Sequence, residues 1–174
     1  DHRVDFTPQA VSSGNQEFDD LLGGGLDRGT TTLIMGPAGT GKSTLAVQYA
    51  AQMAQRDESS VLFAFDEIRG IVLARATAVG LDVARHIKTG LIDVQQVDPA
   101  ELSPGEFGMR IREAVEGGCT LVIIDSLNGY LNAMPGEQYL VNQLHEMSAY
   151  LNQKGVVTIL ILAQYGLIGQ AEAP

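Results

Sequence analysis

Five apolar stretches of strand length recur along the chain, at residues 31–35, 60–65, 91–97, 120–125 and 156–163. Apolar residues return at helical spacing over residues 43–56, 69–79, 105–116 and 138–154. Several of the predicted strands are apolar on both faces, which is typical of strands covered from both sides. Strands that alternate with helices indicate parallel pairing. The pattern therefore predicts an α/β fold, with a mainly parallel sheet and helices on both faces.

The first predicted strand leads into a glycine-rich segment, GPAGTGKS at residues 36–43, and a predicted helix follows. The segment fits the pattern GxxxxGKS of a phosphate-binding loop. Gly36, Gly39 and Gly41 allow a tight turn whose N–H groups point at phosphate oxygens, and the helix adds its positive end. Lys42 reaches the outer phosphates, and Ser43 offers a hydroxyl ligand to Mg²⁺. The other residues expected at the nucleotide are Pro37, Ala38, Thr40 and Thr44. This segment predicts a bound nucleoside triphosphate.

Residues 11–25, VSSGNQEFDDLLGGG, precede the first predicted strand. Ser, Gly and Asn are followed by a short amphipathic turn that contains Phe18, Leu21 and Leu22, and a glycine run then ends the turn. We expect this segment to form a cap packed beside the nucleotide site.

Polar residues follow three of the predicted strands at their carboxyl ends, where ligands bind in open parallel sheets. Asp125 ends the fourth strand and either holds the hydration shell of the metal ion or caps the following helix. Asp66 and Glu67 follow the second strand. Glu67 is favoured to orient or deprotonate the attacking water, and the alternative is an acidic turn that caps the next helix. Gln164 follows the fifth strand and either contacts the terminal phosphate or attacking water, or merely ends the strand. The predicted catalytic residues are Glu67, Asp66 and Lys42, and the predicted metal ligands are Ser43, Asp125 through water, and Glu67.

Composition narrows the classes of function. The chain has 174 residues, which suits one domain, and a formal net charge of −10 with scattered lysines and arginines. This charge makes nucleic acid a disfavoured partner. Cys119 is the only cysteine and abuts a buried strand, which predicts a small core residue and no disulfide framework. The apolar runs are too short to span a membrane and no signal pattern opens the chain, so we expect a cytoplasmic protein without a membrane partner.

Four segments in order, GGGLDRG, GPAGTGKST, FAFDE and IDSLNGY, together resemble the KaiC-like branch of the RecA superfamily. The resemblance extends over about residues 11–164 and rests on order and spacing as well as on the phosphate loop. It implies a RecA-like P-loop NTPase core that binds ATP and Mg²⁺ and works as a homo-oligomeric ring, often hexameric, with ATP between neighbouring subunits. In KaiC-like proteins a Glu-Glu pair supplies the catalytic carboxylates. This pair falls on Asp66 and Glu67, so the first position departs from the family pattern and the second keeps it.

The resemblance also implies that the family's domain continues past Pro174, with further strands and basic residues that reach the neighbour's ATP. Such proteins commonly contain two domains in tandem, and this chain starts at Asp1 without a methionine. We therefore expect residues 1–174 to form a single RecA/KaiC-like ATPase domain that is incomplete at its C-terminus. It is either one half of a tandem protein or a single-domain relative. The Ser and Thr that clock proteins autophosphorylate would lie past the same point, so they cannot be carried over to this chain, and any autokinase activity is an expectation for the intact protein alone.

Several functions are compatible with these residues. The favoured function is an enzyme used as a switch, which binds MgATP, hydrolyses it slowly, and couples nucleotide state to assembly or to partner docking in a signalling or clock-like system. A RecA- or RadA-like DNA-dependent ATPase is an alternative, although the acidic charge opposes it. A third function is a module in which ATP holds subunits together with little hydrolysis. A small-molecule kinase is a fourth and less favoured function.

Overall fold

A parallel sheet of five strands organises the computed structural model, which describes residues 9–65, 69–98, 102–132 and 137–164. Within these residues the strands are β1 (Ala10–Val11), β2 (Leu26–Asp27), β3 (Thr31–Pro37), β4 (Ser59–Ala64), β5 (Ile92–Gln96), β6 (Cys119–Asp125) and β7 (Val157–Gln164). β1 and β2 form a separate antiparallel pair, and the others follow the order β3-β7-β6-β4-β5 with every pairing parallel. β7 therefore lies between the strand before the phosphate loop and the strand that ends at Asp125.

Helices cover both faces of this sheet. Within the described residues they are α1 (Gln16–Leu21), α2 (Lys42–Ala54), α3 (Arg69–Ala78), α4 (Val83–Lys88), α5 (Pro104–Glu116), α6 (Leu127–Asn132) and α7 (Glu137–Gln153). None of these helices combines the length and the apolar character needed to cross a membrane. Core residues of α2, α3 and α4 pack on one face, and those of α5, α6 and α7 pack on the other. In β6, Leu121 and Ile123 belong to the first core and Val122 and Ile124 to the second. The predicted α/β fold with helices on both faces is confirmed.

The structure adds short elements that the sequence pattern does not predict. These are α4, α6 and the β1–β2 pair, each of which is too short to show a hydrophobic period. Asp82 begins α4, since its side chain accepts the Arg85 N–H at 3.3 Å. β3 is also longer than predicted, because Gly36 and Pro37 continue its parallel register with β7. The first two residues of the phosphate-loop motif are therefore part of the strand.

Cys119 is a core residue, as its position predicts. It begins β6, only 7% of it is exposed, and its Sγ donates to the Leu121 carbonyl oxygen at 3.0 Å. Burial raises the pKa of its thiol to about 11, so the reactive thiolate is disfavoured at neutral pH.

Candidate functional site

The phosphate loop joins β3 to α2 and takes its shape from two glycines in the left-handed region. Gly39 and Gly41 have φ angles of +79° and +88°, which glycine adopts without steric penalty. At Gly36 the constraint is close packing, because a Cβ there would lie 3.1 Å from Thr40 Oγ1. Gly41 is the N-cap of α2 and has no side chain to cap it. The first N–H groups of α2 can therefore be bound by an anion seated in the loop.

Lys42 turns its amine back across the loop. Lys42 Nζ donates to the Pro37 carbonyl oxygen at 2.6 Å and lies 3.5 Å from Thr40 Oγ1. Thr40 Oγ1 donates to the same Pro37 carbonyl at 2.9 Å. Both donors thus converge at the end of β3. An ammonium held by a neutral carbonyl can exchange that bond for a stronger one to a charged phosphate oxygen.

A cavity of about 500 Å³ lies beside the loop. Its first wall consists of loop and helix residues, namely Ala38, Gly39, Gly41, Lys42, Ser43 and Thr44. Asp125 and Ser126 line it from the end of β6, Ile161 and Ala163 line it from β7, and Arg75 lines it from α3. Three residues with predicted chemical roles, Lys42, Ser43 and Asp125, are thereby brought to one cavity. Gly36, Pro37 and Thr40 belong to the same loop but do not form part of the lining.

Asp125 lines the cavity from the end of β6. It is the last residue of β6, is 8% exposed, and its carbonyl accepts the Phe65 N–H at 2.7 Å. Its peptide bond to Ser126 is cis. Ser126 starts α6, because its Oγ accepts the Gly129 N–H and its carbonyl accepts the Tyr130 N–H, both at 3.2 Å. A serine hydroxyl therefore fills the capping position of α6, and the metal-binding role of Asp125 stays a prediction.

Gln164 ends β7, opposite Pro37 in the parallel register. Its side chain is exposed, and its neighbour Ala163 lines the cavity. Asn128 of α6 holds this end of β7 with two hydrogen bonds. Asn128 Nδ2 donates to the Ala163 carbonyl at 3.1 Å, and Asn128 Oδ1 accepts the Ala163 N–H at 2.8 Å. Asn128 thus positions the strand end that carries Gln164, a role that a single asparagine near a helix start does not signal in sequence.

Asp66 and Glu67 lie outside the described residues, so their catalytic roles stay predictions. Phe65 immediately precedes them and donates its N–H to the Asp125 carbonyl. Phe65, the last described residue before this segment, therefore lies beside Asp125.

Arg75 is a residue of the cavity that sequence reasoning missed. It lies in the last turn of α3, whose buried residues are Val72 and Ala76. No motif marks one arginine on an amphipathic helix as a ligand contact. Only the packing of α3 against α2 brings it to the phosphate loop.

The predicted cap packs on α2 through a hydrogen-bond network. Asp19 is 4% exposed and accepts Ser12 Oγ at 2.5 Å and the Ser13 N–H at 2.8 Å. Gln48 of α2 donates its side-chain N–H to the Ser13 carbonyl at 2.7 Å. Burial by itself raises the pKa of Asp19, but the hydrogen bonds from Ser12 and Ser13 together outweigh burial and hold that pKa below its usual value. The cap therefore attaches to the helix that begins at the phosphate loop, and none of its residues lines the cavity.

Comparisons with known proteins agree with this geometry. The family model described as ATPase: KaiC matches residues 11–171. The circadian clock oscillator protein KaiC of Synechococcus elongatus is 26% identical over 166 residues, which cover 88% of this chain and 32% of that protein. The circadian clock protein KaiC2 of Synechocystis sp. is 26% identical over 158 residues, which cover 85% of this chain and 28% of that protein. The chain thus spans less than a third of the length of these relatives.

Proposed function

Since the chain belongs to the KaiC family of ATPases, we propose that its cavity binds MgATP and that the chain hydrolyses this ATP slowly. Nucleotide state would control assembly into a homo-oligomer or docking to a signalling partner, as in a clock-like switch. The observation that carries the proposal is the convergence of Lys42, Ser43 and Asp125, from two distant parts of the sequence, on one cavity.

The phosphates are expected to lie against the loop. The cavity beside the loop has a volume of about 500 Å³, which suits a small-molecule site. The N–H groups at the start of α2 and the positive end of that helix favour anions, and Lys42 adds a full charge. Charge-assisted hydrogen bonds of this kind are each worth about 1.5–3 kcal/mol, which makes the loop the main source of affinity.

Ser43 and Asp125 fit a magnesium ion. Mg²⁺ takes oxygen ligands and keeps several of its waters, so one hydroxyl and one carboxylate that line the same cavity are a suitable donor set. We assign Ser43 as a direct ligand and Asp125 as a ligand through water. When bound, the ion neutralises charge that develops on the transferred phosphoryl group, and Lys42 does the same from the loop.

Glu67 is our candidate for the base that activates water, and Asp66 is a candidate to orient it. As the water oxygen bonds to the terminal phosphorus, its proton passes to Glu67, and the bond to the bridging oxygen of ADP breaks. The contact between Phe65 and Asp125 supports this assignment, because it brings the chain that leads to Glu67 beside the carboxylate wall. Gln164, at the end of β7, is proposed to contact the terminal phosphate.

The KaiC-like resemblance implies a ring with ATP between subunits, and we extend this arrangement to the present chain. Ala38, Gly39 and Thr40 are exposed, which leaves the loop accessible to a neighbouring subunit. Clock-like signalling is proposed because the matched relatives are named as circadian clock proteins. Autokinase activity is proposed for the intact protein alone.

The proposal is tested by phosphate release from MgATP over a range of protein concentrations, together with ATP binding. Lys42→Ala should lose binding and turnover. Glu67→Gln should bind ATP and lose turnover, because a glutamine cannot take the proton. Turnover per subunit should rise with protein concentration if a neighbour completes the site.

Matched controls remove the same charge from exposed helix positions. Lys88→Ala on α4 and Glu113→Gln on α5 should leave binding and turnover at the parental level. Parental turnover in Glu67→Gln would show that Glu67 is not the base. Intact ATP binding without any phosphate release would instead identify a nucleotide-dependent assembly module.

A further inference from the structure

Arg75 places a second cationic side chain beside the phosphate loop. It lines the cavity that Lys42, Ser43 and Asp125 also line. It further lines a smaller cavity together with Ser43 and Thr44. Arg75 therefore lies over the first turn of α2, on the side of the predicted magnesium ligand.

Packing of α3 fixes this position. Val72 and Ala76, which are 4% and 2% exposed, anchor the helix in the core shared with α2. Arg75 precedes Ala76 by one residue and follows Val72 by three, so it lies at the edge of the anchored face. Its own side chain is exposed. The packing of Val72 and Ala76 thus holds Arg75 at the cavity.

The negative charge expected at the site favours a cationic side chain in the position of Arg75. A nucleoside triphosphate brings several negative charges to a chain whose formal net charge is −10 and to a cavity that already contains the Asp125 carboxylate. Lys42 and Arg75 are the cationic side chains among the described lining residues. A guanidinium donates two parallel hydrogen bonds to phosphate oxygens, in a geometry that an ammonium cannot match.

We propose that Arg75 binds the phosphate groups of the nucleotide from the same subunit as the phosphate loop. The inference rests on the proposed binding of MgATP in this cavity. It adds a cationic contact that is independent of any residue supplied by a neighbouring subunit. Arg75 would hold the phosphates from the α3 side while Lys42 holds them from the loop side.

The test measures MgATP affinity by calorimetric titration for the parent, Arg75→Ala, Arg75→Lys and Arg75→Glu. Arg75→Ala should weaken binding by about 10- to 100-fold, as expected for loss of a charge-assisted contact. Arg75→Lys should recover part of this loss and Arg75→Glu should exceed it. Because the side chain is exposed, the melting temperature without nucleotide should change little.

Arg85→Ala on α4 is the matched control, since it removes the same charge from an exposed arginine outside the cavity. Equal losses in Arg75→Ala and Arg85→Ala would reduce the effect to general electrostatics and overturn the proposal. A large drop in melting temperature with Arg75→Ala would also overturn it, because the role would then be structural.

Lys42→Ala separates failure of this inference from failure of the proposed function. If Lys42→Ala loses MgATP and Arg75→Ala binds within twofold of the parent, Arg75 is not a ligand but the phosphate loop still binds ATP. If the parent itself does not bind MgATP, the proposed function fails and the Arg75 contact fails with it.

Discussion

The cap and the phosphate loop are both rich in glycine, but the structure uses glycine differently in the two segments. At Gly25 in the cap, a Cβ would lie 2.2 Å from the Val11 carbonyl oxygen, so another part of the chain occupies the space. At Gly39 and Gly41 in the loop, a Cβ would meet nothing within 4 Å, and only the positive φ angles require glycine. The cap is thus closed by its own backbone at Gly25, whereas the loop keeps open space at Gly39 and Gly41.

This difference predicts that substitutions in the two segments change different properties, stability for the cap and nucleotide binding for the loop. The cap buries Asp19 in hydrogen bonds and attaches to α2 through Gln48, so its substitutions should act on the free energy of unfolding. The loop is exposed at Ala38, Gly39 and Thr40 and buries little, so its substitutions should act on nucleotide binding. Substitutions in the two segments, taken in order of decreasing expected effect on stability, test this division.

The largest effect is expected from Gly25→Ala. Its Cβ would collide with a backbone oxygen and also strain a φ of +123°. We expect the free energy of unfolding to fall by about 4 kcal/mol. Gly24→Ala is the control, because Gly24 has a φ of +121° but its Cβ would come no closer than 3.9 Å to Ala10. Gly24→Ala should lower the free energy of unfolding, measured by urea denaturation, by about half as much. Equal losses in the two variants would mean that the close approach to Val11 is unimportant.

Asp19→Asn should lower the free energy of unfolding by about 2 kcal/mol at neutral pH, because it removes the charge from a buried hydrogen-bonded carboxylate. Asp20→Asn, at the exposed neighbouring position, should cost less than about 0.5 kcal/mol. The lowered pKa of Asp19 means that its stabilising contribution is present above the unfolded pKa and is lost as pH falls through the folded value. Acid titration of stability should therefore be shallower in Asp19→Asn, and identical acid profiles would contradict the role of the network.

Tyr49 should make the stability of the protein depend on pH in the alkaline range. It is a buried residue of α2, and burial, with the Asp19 charge nearby, raises its pKa to about 12. A raised pKa in the folded state means that stability is lost as pH rises from about 10 to about 12, by on the order of 1–2 kcal/mol. Tyr49→Phe should lack this part of the alkaline decline. The free energies of unfolding of the parent and of Tyr49→Phe, measured by circular dichroism at several pH values, test this prediction.

Gly39→Ala should have the smallest effect on stability and a large effect on binding. A φ of +79° in a non-glycine residue costs about 1 kcal/mol, and the altered loop should lose MgATP. Gly90→Ala is matched in backbone geometry, with a φ of +78° and open space around its Cβ, but it lies outside the cavity. Both variants should unfold alike, and only Gly39→Ala should lose nucleotide. If both bound MgATP normally, the loop geometry would not control binding.

The sheet and the phosphate loop can be predicted because local sequence determines them. A strand such as β6, which is apolar on both faces, has no other stable place than the middle of a covered sheet. The spacing of glycines before Lys42 and Ser43 is likewise a local requirement of the phosphate-binding turn. The position of Asp125 at the cavity could be predicted because it ends a strand at the edge of the sheet where ligands bind.

Other parts of the site depend on contacts between distant residues. Arg75 reaches the cavity only because Val72 and Ala76 anchor α3 beside α2, and Asn128 matters only because α6 returns to the end of β7. Neither arrangement leaves a signature at the residue itself. The six-residue helices α4 and α6 are also too short for a period to be recognised. For Glu67 and Gln164 the catalytic and phosphate-contacting roles stay predictions.

The position of β7 sets the width of the binding site. Neighbouring strands lie about 4.8 Å apart, so β3 and β6, with β7 between them, are separated by roughly twice that distance. Magnesium binds oxygen at about 2.1 Å. The strand order therefore leaves a gap of about two strand spacings at the sheet edge, between the loop that follows β3 and the end of β6. In the proposed complex with Mg²⁺, this gap, more than any single side chain, would leave room for a water molecule between the ion and Asp125.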